Sequence, residues 1–328
     1  MEHLFNSFNE KKIMIVGDMM LDIYMNGKVE RISPEAPVPI VSVTKTFSRL
    51  GGAANVAQNL KALGAEPILC SITGSDEKAH DLITLMLEHN MNISGIVKSN
   101  ERTTTTKVRI IGNNAQMLRV DTEDTFDLSE KEHDSLLIKI NEIINKEKID
   151  GIILQDYNKG VLTEKLIKEI ISIANAKNIP VGVDPKKKNF LAYQNATFFK
   201  PNLKELKEGI GISYKDNSIE EIIKAVDILH DKLKCRYIMT TLSERGVLIK
   251  DYNTNTYHHI PAHLRKIADV SGAGDTVLSV AMLCLICNEE AYNIAALSNL
   301  AGGIVCEELG AVPINKERLF EESKKYNK

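Results

Sequence analysis

Short apolar runs and amphipathic stretches alternate along most of the chain. The runs at 13–16, 67–72, 151–154, 181–184, 197–200 and 237–240 each have the length and apolar character of one buried strand. Between most of them lie stretches with helical periodicity, at 53–63, 77–89, 129–146, 163–176 and 219–233. Gly64 closes the first of these as a helix C-terminal cap. Strand and helix in alternation predict an α/β fold: a central, mostly parallel sheet flanked by helices on both faces.

Two segments break the rhythm. A β-branched run at 38–43 follows the stiff Pro-rich stretch 33–39. The runs 103–111 and 116–120 flank Gly112-Asn113-Asn114, a hairpin turn signal. These pieces are expected to form a small separate β-layer, built from inserted segments at about 19–50 and 101–121. No linker, low-complexity tract or internal repeat divides the chain, so a single domain over 1–328 is expected.

The 328 residues carry 41 Lys+Arg against 44 Asp+Glu, a formal net charge of -3, which speaks against a general nucleic-acid binder. No run approaches the roughly 18 apolar residues of a membrane-spanning helix. The polar, acidic start is not that of a signal peptide, so a cytoplasmic protein is expected. Five cysteines spread over this length are not a disulfide framework. Cys284 and Cys287 form a C-x-x-C, but inside an almost wholly apolar helical stretch, and are read as core packing. His258 and His259 alternate in a strand-like stretch and point to opposite faces.

The densest chemical signal is Asp269-Val270-Ser271-Gly272-Ala273-Gly274-Asp275-Thr276, directly followed by an apolar helix. Small residues at a helix start leave backbone N–H groups free to hold an anion. Asp275 beside that anion can take a proton from a hydroxyl as it attacks phosphorus. A tight turn with Asp275 as a helix cap is the alternative. Gly51-Gly52-Ala53-Ala54-Asn55 opens another helix, either letting backbone approach a ligand or serving close packing. Asn202-Leu203-Lys204-Glu205 suits a hydrated magnesium ion beside phosphates, or equally a helix capping box. The Walker-type and dinucleotide-binding glycine patterns are both missing.

In this order, Gly17-Asp18 with Asp22, Gly51-Gly52 with Asn55, 202–205, 241–246 and 269–275 resemble the ribokinase-like (PfkB) carbohydrate kinase family over nearly the whole chain. Within it, 17–22, 31–40, 156–160 and 183–186 look most like the D-glycero-β-D-manno-heptose 7-phosphate kinases. The resemblance implies transfer of the ATP γ-phosphoryl group to a sugar hydroxyl, with Mg2+ and with a monovalent cation as a further candidate cofactor. It implies a small β-sheet lid over the sugar.

By the same resemblance Asp275 is the base, and Gly272, Ala273 and Gly274 form the anion hole. Asn202, Leu203, Lys204 and Glu205 are the ATP-phosphate motif, with Asn202 and Glu205 toward Mg2+ mostly through water and phosphates. Thr241, Ser243, Gly246 and Asn299 line the nucleotide. Asp18, Asp22, Gly51, Gly52, Asn55 and Asp156 map to the sugar side. Arg109, Arg119, Lys159 and Lys186 are candidates for the substrate phosphate. The chain has no room for the nucleotidyltransferase domain of bifunctional relatives, so a kinase-only form is expected, phosphorylating the 1-position. Gln155 departs from the small residue expected before Asp156-Tyr157. A kinase of another sugar phosphate, such as fructose 1-phosphate, and an inactive sugar-binding regulator are the other readings. A homodimer through the lid is expected because an exposed β-layer has edges to cover.

Overall fold

The computed structural model describes residues 1–211 and 218–325. Its strands, in chain order, are β1 (Lys12–Gly17), β2 (Met19–Ile32), β3 (Pro39–Gly52), β4 (Glu66–Thr73), β5 (Ile96–Lys98), β6 (Thr106–Gly112), β7 (Ala115–Thr122), β8 (Gly151–Gln155), β9 (Val181–Asp184), β10 (Phe198–Phe199), β11 (Tyr237–Thr241), β12 (Val247–Asp251) and β13 (Thr256–Ile260). Among the described residues nine form one sheet, ordered β13-β12-β11-β10-β9-β8-β1-β4-β5, and four a smaller sheet, β3-β2-β6-β7. The large sheet is parallel from β5 to β11, and β12 and β13 extend it antiparallel.

Period-two alternation sorts the strand residues onto the two faces. Ile13 and Ile15, Ile153, Met239, and Val247 with Ile249 pack beneath the helices Ala53–Ala62, Ala273–Ile286 and Ala291–Val305. Met14 and Val16, Ile152 and Leu154, Ile238 and Leu248 pack against Glu130–Lys146, Glu164–Ala176 and Ile219–Leu233. The helix Ala273–Ile286 is apolar almost all round because it is buried all round. Gly182 of β9 admits it closely, since a Cβ there would stand 2.2 Å from the Met282 sulfur. Cys284 is buried in this helix and all five cysteines are free, as the core reading expects. No helix among the described residues is long and apolar enough to cross a membrane.

The predicted strands and helices all form, with ends shifted by one to three residues in most cases. The exception is the 38–43 run, which grows into the fourteen-residue β3. Its partner β2 was not predicted as a strand. It leaves β1 after the single residue Asp18, running antiparallel to β3 and parallel to β6. Asn113 and Asn114 make the β6–β7 turn with positive φ, as the hairpin signal predicts. The smaller sheet is tied to the main body by Arg102. Its guanidinium pairs with Glu132 at 2.8 Å, both side chains buried, and donates to the Lys159 carbonyl.

Candidate functional site

The switch in strand order lies between β1 and its neighbours β4 and β8, and open α/β sheets bind ligands beyond the carboxyl ends of such strands. Asp18 follows β1, Gln155-Asp156-Tyr157 end and follow β8, Asp184 ends β9, and Lys200 follows β10. The helix Ala273–Ile286 points its N-terminus at the same place.

Asp275, in the first turn of that helix and 3% exposed, is the centre of a hydrogen-bonded cluster. Its Oδ2 accepts from Asn55 Nδ2 at 2.7 Å. Its Oδ1 accepts from the Tyr157 hydroxyl at 2.7 Å and from Gln155 Nε2 at 3.1 Å. Burial pushes the carboxyl up to about 6, against the downward pull of Asn55 and Tyr157. That value suits a general base working near neutral pH. Gly272 takes φ +80°, and a Cβ there would press on Asn55 Nδ2 at 2.9 Å, so only glycine admits this approach. The Ala273 amide is spent on the Val270 carbonyl, while the first-turn amides of Gly274 and Asp275 have no intrahelical acceptor.

Beside that turn lies a buried ion pair, Lys200 Nζ to Asp184 Oδ2 at 3.1 Å. A Cβ on Gly274 would stand 3.6 Å from Lys200 Nζ and 3.7 Å from Asp184 Oδ2. Burial works against an ionised Asp184, but Lys200 and Lys186 hold its carboxyl below the usual range. Gln155 Nε2 also donates to Asp184 at 3.2 Å, so one amide ties Asp275 to the Asp184–Lys200 pair. Lys186 pairs with Glu205 and lies over the Tyr157 ring.

Asn202 and Glu205 form a complete capping box at 2.8 Å in both directions. Leu203 begins the helix they cap, and Lys204 points outward to Glu208. Among the described residues no three His, Cys, Asp or Glu side chains gather as a metal cage. The hard oxygen donors nearby, Glu205 and Asp184, are few. That fits Mg2+, which keeps its waters and is held largely by substrate phosphates.

On the small-sheet side, Asp22 pairs with Arg109 at 2.6 Å. Gly51 lets β3 pass that carboxylate, since a Cβ would lie 2.5 Å from Asp22 Oδ2. Gly52, at φ +58°, turns the chain from β3 into the helix bearing Asn55. Asp18 is buried and its oxygens accept the amides of Tyr157, Lys159 and Val161, fixing the loop after β8. Asp156 is also buried, bonded to the Tyr193 hydroxyl at 2.8 Å and to the Asn158 amide. Burial and then the Asp18 charge push it up to about 6. Lys159 pairs with Glu123, and Arg119, exposed on β7, pairs with Asp121.

The remaining sequence candidates are more dispersed. Thr241 ends β11 and bridges to Asn202. Ser243 lies in the turn that follows, and a Cβ on Gly246 would collide with the Ile260 carbonyl at 1.9 Å. Asn299 donates to the Pro261 carbonyl at 2.8 Å, holding the segment that leads to Gly272. His258 faces Tyr292 and His259 meets the Arg245 carbonyl, which is structural use of both.

Sequence reasoning missed Tyr157, Asp184 and Lys200 as members of this cluster and read Gln155 only as a departure. The available signal was position: all four sit at or just past the carboxyl ends of apolar runs.

A doubly wound sheet with a buried carboxylate at a helix N-terminus, and a second small sheet beside it, defines the ribokinase-like class of α/β folds. Solved structures agree. Phosphofructokinase-2 from Escherichia coli, in complex with potassium, superposes with a TM-score of 0.79 at 18% identity, covering 97% of this chain and 99% of that one. Ribokinase of Arabidopsis thaliana, complexed with ribose and ATP, gives 0.71 at 15% identity, covering 95% and 99%. The profile of the pfkB family carbohydrate kinases matches residues 10–318, and the chain belongs to that family. Curated relatives named bifunctional protein HldE are 40% identical in Methylobacillus flagellatus, over 94% of this chain and 62% of the relative, and 37% identical in Helicobacter pylori strain G27, over 94% and 65%. The chain thus spans less than two thirds of the length of these relatives.

Proposed function

We propose that the protein is an ATP-dependent kinase of D-glycero-β-D-manno-heptose 7-phosphate, acting at the 1-position to give the 1,7-bisphosphate. The observation that carries the phosphotransfer reading is Asp275: a buried carboxylate at a helix N-terminus, oriented by Asn55, Gln155 and Tyr157. The strings at 31–40 and 156–160, with the HldE relatives, support the heptose substrate over other sugars.

In this reading Asp275 accepts the proton of the attacking sugar hydroxyl. The amides of Gly274 and Asp275 and the Lys200 ammonium face the charge of the transferring group. Asn202 and Glu205 lie toward the ATP phosphates, where Mg2+ supplies charge neutralisation when bound. Thr241, Ser243, Gly246 and Asn299 lie toward the nucleotide. The small sheet serves as the lid of a single kinase domain, bringing Asp22 to the sugar. Its outer residues Ile32, Val43, Leu118 and Val120 are exposed and apolar, which supports a dimer through that sheet.

The test is ADP release with Mg2+ and ATP over a panel of sugar phosphates. Preference for the heptose 7-phosphate, with the product phosphate on the anomeric carbon by 31P NMR, is the expected result. Turnover of fructose 1-phosphate alone would discard the heptose assignment, and silence on every sugar would discard the kinase.

A further inference from the structure

The segment 261–272 joins β13 to the helix Ala273–Ile286 and contains neither helix nor strand. At its start, a Cβ on Gly246 would come within 2.6 Å of backbone atoms of Ile260, Pro261 and Ala262, and Asn299 holds the Pro261 carbonyl. Toward its end the Ala268 and Asp269 amides donate to the Cys306 carbonyl, and Asp269 Oδ2 accepts the Gly310 amide. Apolar packing does little for the stretch between, since Leu264 and Ile267 are exposed, as is Val270 beyond. A segment with no ladder or helix of its own is ordered only as far as such attachments order it.

Arg265 supplies an attachment in the middle. Its side chain is 9% exposed and reaches two carboxylates from different elements. Nη1 donates at 2.7 Å to Glu307, just past the helix Ala291–Val305, and Nη2 donates to Glu322 of the helix Lys316–Ser323. Arg318 of that last helix closes a ring, donating to the same Glu307 and, through Nε at 2.8 Å, to the same Glu322. Two cations and two anions alternate, so each charge has two opposite neighbours. Both carboxylates are held below their usual range, Glu307 chiefly by Arg318 and Glu322 chiefly by Arg265. Gly303 leaves room for the ring, because a Cβ there would lie 3.0 Å from Arg265 Nε.

We infer that Arg265 is a positioning residue for the nucleotide: through Glu307 and Glu322 it fastens the 261–272 segment to the helix Lys316–Ser323, and that fastening sets the affinity for ATP. The inference rests on the proposed kinase reading, in which Gly246 and Asn299 lie toward the nucleotide and the amides of Gly274 and Asp275 toward its transferring phosphate. The segment runs between those two places. A wall fixed before ATP arrives spares binding the cost of ordering it. Asp275 keeps its own partners, Asn55, Gln155 and Tyr157, all outside the ring, so the chemical step is left alone.

The experiment compares wild type, Arg265→Met, Arg265→Lys and Glu322→Gln by calorimetric binding of MgADP, by steady-state ADP release with the heptose 7-phosphate, and by amide hydrogen exchange. Arg265→Met should still fold, because Arg318 remains paired with both Glu307 and Glu322. It should weaken MgADP binding and raise the KM for ATP about tenfold, the scale of re-ordering one or two backbone residues on binding. Its kcat and its KM for the sugar phosphate should stay within about twofold of wild type, and exchange should quicken over 261–272. Glu322→Gln should act in the same direction, and Arg265→Lys, which keeps the charge but not the fork, should recover part of the affinity. Unchanged MgADP affinity in Arg265→Met, with wild type turning over, sinks the fastening and leaves the kinase standing. Equal losses in nucleotide affinity, sugar KM and kcat reduce the ring to general stability and also sink it. MgADP binding that weakens in Arg265→Met, in a protein whose wild type phosphorylates no sugar, sinks the kinase and keeps the fastening. A wild type that neither binds MgADP nor turns over sinks both.

Discussion

Replacing Tyr157 by Phe removes one hydroxyl from the cluster and leaves its ring in place. That hydroxyl donates to Asp275 Oδ1 at 2.7 Å, opposing the burial that pushes the carboxyl up to about 6. A hydrogen bond to a charged acceptor is worth roughly 1.5–3 kcal/mol, and about 1.4 kcal/mol corresponds to one pKa unit. Losing it disfavours the carboxylate, so the pKa of Asp275 should rise by about 1–2 units, to about 7–8. Gln155 and Asn55 still hold the side chain, so its position is kept. The acid limb of kcat/KM against pH should move upward by the same interval. At pH 7 the wild-type base is roughly nine-tenths ionised, and the variant base about one-tenth to one-half. The loss at pH 7 should therefore be about two- to tenfold and should vanish by pH 9. An acid limb that stays in place, or a deficit equal at all pH values, would refute the assignment of Tyr157 as a donor to the base.

Asp275→Asn should lower kcat by about 10²–10⁴-fold while sugar-phosphate binding by calorimetry persists; turnover at the wild-type rate would remove Asp275 as the base. Asp156→Asn should stabilise the fold. The folded pKa of Asp156 is raised from 3.8 to about 6, so its burden appears as pH rises through that window and is complete above it. The variant should gain about 2–3 kcal/mol in urea unfolding at pH 7–8 and nothing near pH 4, with Asn able to donate to Tyr193; a gain independent of pH would contradict this. Arg102→Ala should cost about 3–5 kcal/mol at pH 7 by stranding buried Glu132. Although burial opposes it, pairing with Arg102 takes Glu132 down to about 2, so that contribution is present above about pH 4.5 and lost as pH falls toward 2. A Tm difference that does not shrink on acidification would count against it.

The strands that line the core were legible because both of their faces are buried, which makes each an apolar run bounded by polar residues. The 269–275 string was legible as a helix start, because small residues and an acidic residue precede an apolar run, and the helix does begin there with Asp275 in its first turn. β2 was not legible for a physical reason: its first six residues are buried and the later ones pass into solvent, so no single period describes it. Gln155, Tyr157, Asp184 and Lys200 were hidden differently. They come from three strand ends, 29 residues apart from Gln155 to Asp184 and 16 from Asp184 to Lys200, and only the parallel sheet brings them to Asp275. The sequence spacing of 202–205 correctly allowed a capping box, and the geometry shows both halves of it.

β2 is one continuous strand from the root of the large sheet to the far end of the small one. Mechanically it is a cantilever. Met19 to Tyr24 are clamped in the core, while irregularities in the β3 pairing at Asn26/Gly27 and Val29/Arg31 soften the outer half. Bending should concentrate beyond Met25, so amide hydrogens at the root should exchange slowly and those at the tip quickly. Asp22 lies on the stiff side of that boundary, so the tip can swing while the Asp22 carboxylate, paired with Arg109, stays with the root.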